Sequence, residues 1–346
     1  MTSPGSGDTV NSAVDHQHAG EPLSLTCIDL QRHNLDKVAV HVDAEFANDI
    51  PAIIDSITAD CRYPLLHRTE DGGRHLEVIT DLNGARVYYD QMREGVDIVA
   101  SRQLRRITTE WYVFNHSIAT IRHTGTVGGV AGTGREHRVQ SAVLFPVTED
   151  GILGEVPWNR HTWAELVQGV PERESRPDDP IAIELRNLDA HDAYADVLRT
   201  GDVAGLDGVI TPDFCMASRN YAGAEPMTAH QSAAAAAEHI RAFHRALEVL
   251  EVIVLNRVVT EWFVFAEHLW RLRSRDAAVV PVDGEFDLKT AAIYPVDAAG
   301  RLAAELGYGT DMPLVAGRMP ISAQAPTRTV SSRESTSPST VVSAGA

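Results

Sequence analysis

Apolar residues in the second half of the chain first recur with a helical period and then crowd into strand-like runs. Ile181, Ile183, Leu185, Leu188, Tyr194, Val197 and Leu198 follow roughly helical spacing, which predicts a long amphipathic helix. Asp179 is a good N-cap, Pro180 fits the first helical position, and Gly201 supplies a stop. Asp202 then caps a shorter segment, 203–210, closed by Thr211-Pro212. A third helix is expected to begin after Thr228 and to run through the alanine tract 233–237; its counterpart earlier in the chain is 83–93, with a weaker start at Gly84. Beyond these helices, segments 250–255, 258–273 and 289–296 are rich in Val, Ile, Phe, Tyr and Trp, and read as antiparallel strands. Segments 98–106, 108–124 and 137–147 do the same earlier on. The turns 149–151 and 297–300 lead into closing strands that end near Trp158 and near Tyr308. Helices first and strands afterwards predict an α+β domain, with a curved antiparallel sheet closing over its helices.

The chain carries this domain twice. Thr109-Glu110-Trp111-Tyr112-Val113-Phe114 returns as Thr260-Glu261-Trp262-Phe263-Val264-Phe265. Upstream, Asn48-Asp49, Thr58 and Asp60 answer to Gly201-Asp202, Thr211 and Asp213 at a constant spacing of 153, and downstream Phe145-Pro146-Val147 answers to Tyr294-Pro295-Val296 at 149. Short loop insertions and deletions produce such drift. The expected division is a head at 1–21, a first domain at 22–170, a linker at 171–179, a second domain at 180–319 and a tail at 320–346. Head and tail are poor in large apolar groups, and so are expected to lack ordered structure.

Charge narrows the partners. With 48 acidic against 30 basic side chains in 346 residues, the formal charge is -18, which opposes contact with nucleic-acid phosphate or an anionic membrane. No stretch approaches the roughly 20 apolar residues that span a bilayer, and no secretory signal opens the chain. Cys27, Cys61 and Cys215 show no CxxC spacing, so a reducing cytoplasm is the expected compartment. Segment 125–135 is glycine-rich but ends in Arg135-Glu136 and lies between strands, so it reads as a hairpin loop rather than a P-loop. GxSxG, HExxH and a strand-linked GxGxxG are missing, and the reading includes no cofactor and no metal.

Four short motifs carry a family resemblance: Thr200-Gly201-Asp202, Thr211-Pro212-Asp213, His123-Thr124-Gly125-Thr126, and the closing Asp150-Gly151-Ile152-Leu153-Gly154-Glu155. Through them the chain resembles the nuclear-transport-factor-two-like superfamily, and within it the SnoaL-like polyketide cyclases. The resemblance implies two conical half-barrels, each enclosing an apolar pocket, paired through their outer sheet faces as an internal pseudo-dimer, with a homo-oligomer possible. It also implies an apolar ligand of polyketide, steroid or terpenoid type, and a cofactor-free acid-base step such as cyclisation, isomerisation or dehydration. Ketosteroid isomerase, a relative, uses a tyrosine seven residues before the helix-ending Gly-Asp, a base after the second helix and a protonated acid on a later strand. Here the first position holds Tyr194 or His41, but the base position falls on Leu65 or Leu66 and near Ser218, and the acid near Val143 and Ala292. The chain departs from that mechanism at two of its three positions.

The long repeated strand offers other groups. By the two-residue period Glu110, Tyr112, Phe114 and His116 share one face, and Trp111, Val113, Asn115 and Ser117 the other. With the Tyr112 face inward, the first pocket gathers His67 and His116 for proton transfer, Tyr112 and His41 as donors, and Tyr63 and Phe114 as lining. In the second pocket Tyr194, Phe263 and Glu267 hold the matching ligand-binding positions. Against this stands a non-catalytic ligand-binding or assembly module, since neither copy has an acidic base at the family position. Glu110 and Glu261 read as structural, Trp111 and Trp262 as core or interface anchors.

Overall fold

The computed structural model describes residues 25–68, 73–127, 129–148, 150–168, 179–218, 227–276 and 284–309. The expected head, the tail and nearly all of the expected linker lie outside the described residues. In the first half, α1 (Leu25–Ala47) and α2 (Ile50–Asp55) precede β1 (Ile57–Arg68) and β2 (Arg74–Ile79), and α3 (Leu82–Gly95) leads into β3 (Val96–Thr108), β4 (Tyr112–His123) and β5 (Glu136–Pro146). Two short strands, β6 (Ile152–Gly154) and β7 (Val156–Asn159), and α4 (Trp163–Gln168) complete it. The second half repeats the plan with α5 (Pro180–Thr200), a 3-10 turn at Val203–Leu206, β8 (Ile210–Ser218), β9 (Thr228–His230), α6 (Ala233–Ala246), β10 (Leu247–Val259), β11 (Phe263–Ser274), β12 (Glu285–Pro295) and β13 (Leu302–Gly309).

Caps explain the helix starts. Asp179 accepts from the Ala182 amide and Gly201 closes α5 at φ 75°, in the left-handed region that glycine enters at little cost. Asp202 caps the 3-10 turn through the Ala204 amide. Two starts differ from the sequence reading. The cap of α6 is Ser232, because Thr228 is drawn into β9 opposite Ser218; the cap of α3 is Asp81, which accepts from the Gly84 amide. Thr211 and Pro212 fall inside β8 rather than closing a turn before it.

The repeated segment is a structural device. Thr109 Oγ1 accepts from the Tyr112 amide at 3.2 Å, and Thr260 Oγ1 from the Phe263 amide at 3.1 Å. Asn34 on α1 and Asn187 on α5 donate to the carbonyls of those same threonines at 2.9 and 2.8 Å. Each long helix is thereby tied to the start of its central strand. The second half closes into one six-stranded sheet, β10-β11-β12-β13-β8-β9, while the first divides into β3-β4-β5-β7 and β2-β1-β6. Only Glu155 separates β6 from β7. Each half is therefore a helix-backed, curved and mostly antiparallel sheet, and the fold is a tandem of two α+β cones.

The halves meet through their outer sheet faces, in a core that includes Tyr112, Phe114, Leu144, Phe263, Phe265 and Ile293. Phe114 stacks on Phe265, its own counterpart, with centroids 4.0 Å apart and planes 16° from parallel. Tyr112 meets Phe265 at 5.8 Å and Phe114 meets Phe263 at 6.1 Å. Such reciprocity is the mark of a two-fold interface. Around it Arg74 pairs with Asp213 at 2.8 Å, Glu261 with Arg160 at 3.7 Å, and Glu110 with Lys289.

Candidate functional site

The strand face expected inward is the one that faces the other half. Tyr112 donates to Glu267 Oε2 at 2.9 Å, Trp111 Nε1 to Oε1 at 3.2 Å, and Asn256 Nδ2 to Oε2 at 2.6 Å. His116 lies edge-on to Phe263 at 5.2 Å, with both ring nitrogens lacking a hydrogen-bond partner among the described residues. Burial pushes its imidazole down to about 4, and the Arg105 charge adds to this. Tyr112, Phe114, His116, Phe263 and Glu267 thus belong to the interface, not to a pocket. His67 is exposed, 3.0 Å from Glu77 at the outer end of β1. Period two assigns residues to two faces without saying which is inward; the more aromatic face buries more apolar area when the partner sheet covers it.

The opposite face of β4, with Asn115, Ser117, Ala119 and Ile121, lines a cavity of about 370 Å³ in the first half. Its other walls include α1, Tyr88 of α3 and Phe145 of β5. Glu45 and Glu155 belong to the lining. Behind them His41 Nε2 lies 2.6 Å from Glu155 Oε1 and 3.1 Å from the Tyr89 hydroxyl, which also donates to Oε1. Both bonds fall on Oε1, so Oε2 takes no part in them. Tyr63 continues the chain, 3.4 Å from the Tyr89 hydroxyl.

Proton positions follow from the partners. Ser56 donates its hydroxyl proton to the Ile53 carbonyl at 2.6 Å, so its oxygen accepts from His41 Nδ1–H at 2.7 Å. With Nδ1 protonated, one further proton is shared between Nε2 and Glu155. Burial pulls the His41 imidazole down, but the hydrogen bond and charge of Glu155 and the charge of Glu45 outweigh it, and the net shift is upward. Burial, then the charge of Glu155, raises the Glu45 carboxyl to about 7. Tyr63 and Tyr89 are held well above the usual phenol range by burial and by Glu155. Arg93, buried beside the carboxyl groups, is lowered by the same desolvation.

Glu155 owes its position to a break in the sheet. Gly154 sits at φ 145°, and a Cβ there would lie 1.8 Å from the Arg62 carbonyl oxygen. The counterpart in the second half is Ala304, inside the continuous β13. The spacing of 150 that aligns Ile152 with Leu302 also aligns Glu155 with Glu305. That recurrence was the available signal for both carboxylates, and a spacing of four from His41 on one helix was the signal for Glu45.

Among the described residues, the second interior carries bulkier side chains. Trp270, His268 and His191 replace Ala119, Ser117 and Val38, and the remaining space beside Glu305 is about 30 Å³. Tyr194 donates to Glu305 Oε2 at 2.6 Å, while burial raises the Glu305 carboxyl to about 7. Leu198, Met216 and Ile240 stand where Glu45, Tyr63 and Tyr89 stand in the first half. Of the positions expected from sequence, His41 and Tyr63 lie in the buried network of the first half, and Tyr194 in its abbreviated counterpart.

His41, Glu45 and Glu155 also place ligand-capable atoms within 4.8 Å of one another, the arrangement a cation would need. Sequence motifs gave no hint of it, because Glu155 lies 114 residues from His41. Arg93 beside them opposes a second positive charge. No described helix is long and apolar enough to cross a membrane.

Neither the protein-family models nor the curated proteins include a match to this chain. Solved structures similar to it include a protein from Jannaschia sp. CCS1 described as a candidate SnoaL-like polyketide cyclase, at 14% identity and a TM-score of 0.32, over 38% of this chain and 88% of that one. An NTF2-like protein from Burkholderia xenovorans LB400 shares 13% identity over 37% of this chain and 89% of its own, with a TM-score of 0.29. An LEH-like epoxide hydrolase from M. tuberculosis shares 16% identity over 36% and 84%, with a TM-score of 0.28.

Proposed function

We propose that the first half binds an oxygenated, largely apolar small molecule and moves a proton on it by side-chain acid-base chemistry. The carrying observation is the arrangement of Glu155, with one oxygen held by His41 and Tyr89 and the residue in the wall of a 370 Å³ cavity. A carboxylate so held keeps its orientation while His41 accepts or returns charge, which is the geometry of a general base. Glu45, its carboxyl raised to about 7, can carry a proton near neutral pH, and Tyr88 adds a hydroxyl to the same wall. Two neighbouring carboxyl groups can serve as base and acid on one substrate. Abstraction at carbon by Glu155 and protonation at oxygen by Glu45 then gives an enol, the common first step of isomerisation and aldol-type cyclisation.

The second half supports a different reading, that of a structural partner. Among the described residues the space beside Glu305 is about 30 Å³, and Tyr194 donates to that carboxyl group. Deuterium wash-in from D2O into an enolisable bicyclic ketone such as 2-tetralone, followed by NMR, tests the assignment. The full chain should accelerate exchange, and Glu155→Gln should lower the rate by roughly 10²-fold or more, whereas His67→Ala should leave it unchanged. Exchange unaffected by Glu155→Gln would remove the proposed base.

A further inference from the structure

The two halves treat one arginine in opposite ways. Arg257 on β10 and Arg106 on β3 occupy the same strand position, each paired across its ladder with the counterpart residues Ala266 and Asn115. In the second half Arg257 Nη1 is bound to Asp192 of α5 at 2.6 Å. The spacing of 153 that relates His41 to Tyr194 relates Asp192 to Ala39. Ala39 and Arg106 both line the cavity, and Arg106 is the only cationic residue that does so. Its Nε is fixed by Asn115 Oδ1 at 2.8 Å, and no ion pair to it occurs among the described residues. The first half carries the arginine, has Ala39 where the second half has the acid, and lines a cavity with both residues.

We propose that the ligand of this cavity carries a carboxylate that binds Arg106 in the place Asp192 fills in the second half. This rests on the proposed ligand-binding role of the cavity and specifies its substrate class. The surrounding groups fit. Asn115 Oδ1 is already used by Arg106, and Asn115, Ser117, Ser141 and Asn159 line the cavity. A guanidinium and neutral donors together suit a carboxylate. Acidic groups on the lining are Asp43, Glu45 and Glu155. Asp43 and Arg106 are both exposed, so solvent screens each of them. Arg106, Asn115, Val143 and Pro157 form one rung across β3, β4, β5 and β7, so about 14 Å of sheet separates the backbone of Arg106 from the strand that follows Glu155. The ligand would lie along that rung, anion at the β3 edge and reacting carbon at the carboxyl end.

Isothermal titration of the full chain with 2-naphthoate, 2-naphthamide and 2-naphthylmethylammonium tests this, using three probes of one shape and different charge. Naphthoate should bind at least about 10-fold more tightly than the amide, and the ammonium most weakly. Ala39→Asp, which installs the pair that the second half already carries, and Arg106→Gln should each bring the carboxylate-to-amide ratio close to one. Melting temperatures near wild type would show that both variants fold. Equal binding of carboxylate and amide, or a preference that survives both substitutions, overturns the carboxylate assignment and leaves the acid-base reading standing. Binding of none of the three at millimolar concentration overturns both. A carboxylate preference together with exchange indifferent to Glu155→Gln sinks the acid-base reading alone.

Discussion

Glu155 and Glu305 hold the same place in two copies of one domain, and their neighbours decide what each can do. Glu155 meets an imidazole, a phenol and a cavity of about 370 Å³; Glu305 meets one phenol and a space of about 30 Å³. The second arrangement leaves a thermodynamic trace. The folded-state carboxyl of Glu305 is raised to about 7 from an ordinary 4.5, through burial, so the native state holds a proton that the unfolded chain has lost in that window. Stability from this group is complete below the unfolded value and declines as pH rises towards the folded one. Glu305→Gln keeps an acceptor for Tyr194 and removes the titration. The variant should therefore be more stable than wild type at pH 8, by roughly 1–3 kcal/mol, with little difference at pH 4. Urea melts at the two pH values check it, and a difference of equal size at both would assign the gain to packing. Glu45 contributes a slope of the same sign, which the variant retains.

Elements were legible where their signals were local. Asp179-Pro180 and Gly201 bounded α5 as read, and the aromatic and β-branched runs became β3, β4, β5, β10, β11 and β12 with ends shifted by a few residues. The orientation of β4 was not legible, because both of its faces carry apolar groups and only the presence of a covering sheet distinguishes them. Nor was the network around His41, whose partners Tyr89 and Glu155 lie 48 and 114 residues away. The break between β6 and β7 shows how one residue moves a site. Gly154 adopts a backbone conformation that side chains rarely take, close under the Arg62 carbonyl. Gly154→Ala should cost roughly 2–4 kcal/mol through strain and clash, visible as a lower urea midpoint, and should weaken naphthoate binding by displacing Glu155. The reverse change in the continuous strand, Ala304→Gly, should cost only about 1 kcal/mol. Similar costs at both positions would mean that the break is incidental.

At the scale of the whole molecule, the interface is two-fold in shape and asymmetric in chemistry. On one side of the Phe114–Phe265 stack, Glu267 receives Trp111, Tyr112 and Asn256. On the other, His116 faces Trp262 and Phe263, and neither its nitrogens nor Trp262 Nε1 find a partner among the described residues. Pairing two copies of the second half would bury two Glu267 carboxylates, each opposite Phe263 and so deprived of the Tyr112 hydroxyl. Pairing two copies of the first half would set two imidazoles against Tyr112 and Trp111, and would forgo the ion pair of Lys289 with Glu110, because Gln140 holds the position of Lys289 in that half. A hydrogen bond to a buried charge is worth about 1.5–3 kcal/mol, so the mixed pairing is favoured over the second-half homodimer. Residues 1–170 and 171–346 produced as separate chains should accordingly associate one to one, and native mass spectrometry should find the mixed dimer dominant over either homodimer. Tyr112→Phe should weaken that association about 10-fold or more, since it leaves Glu267 short of one donor. Equal populations of mixed and like pairs, insensitive to Tyr112→Phe, would show that apolar burial alone holds the halves together, and that the polar asymmetry has no part in choosing the partner.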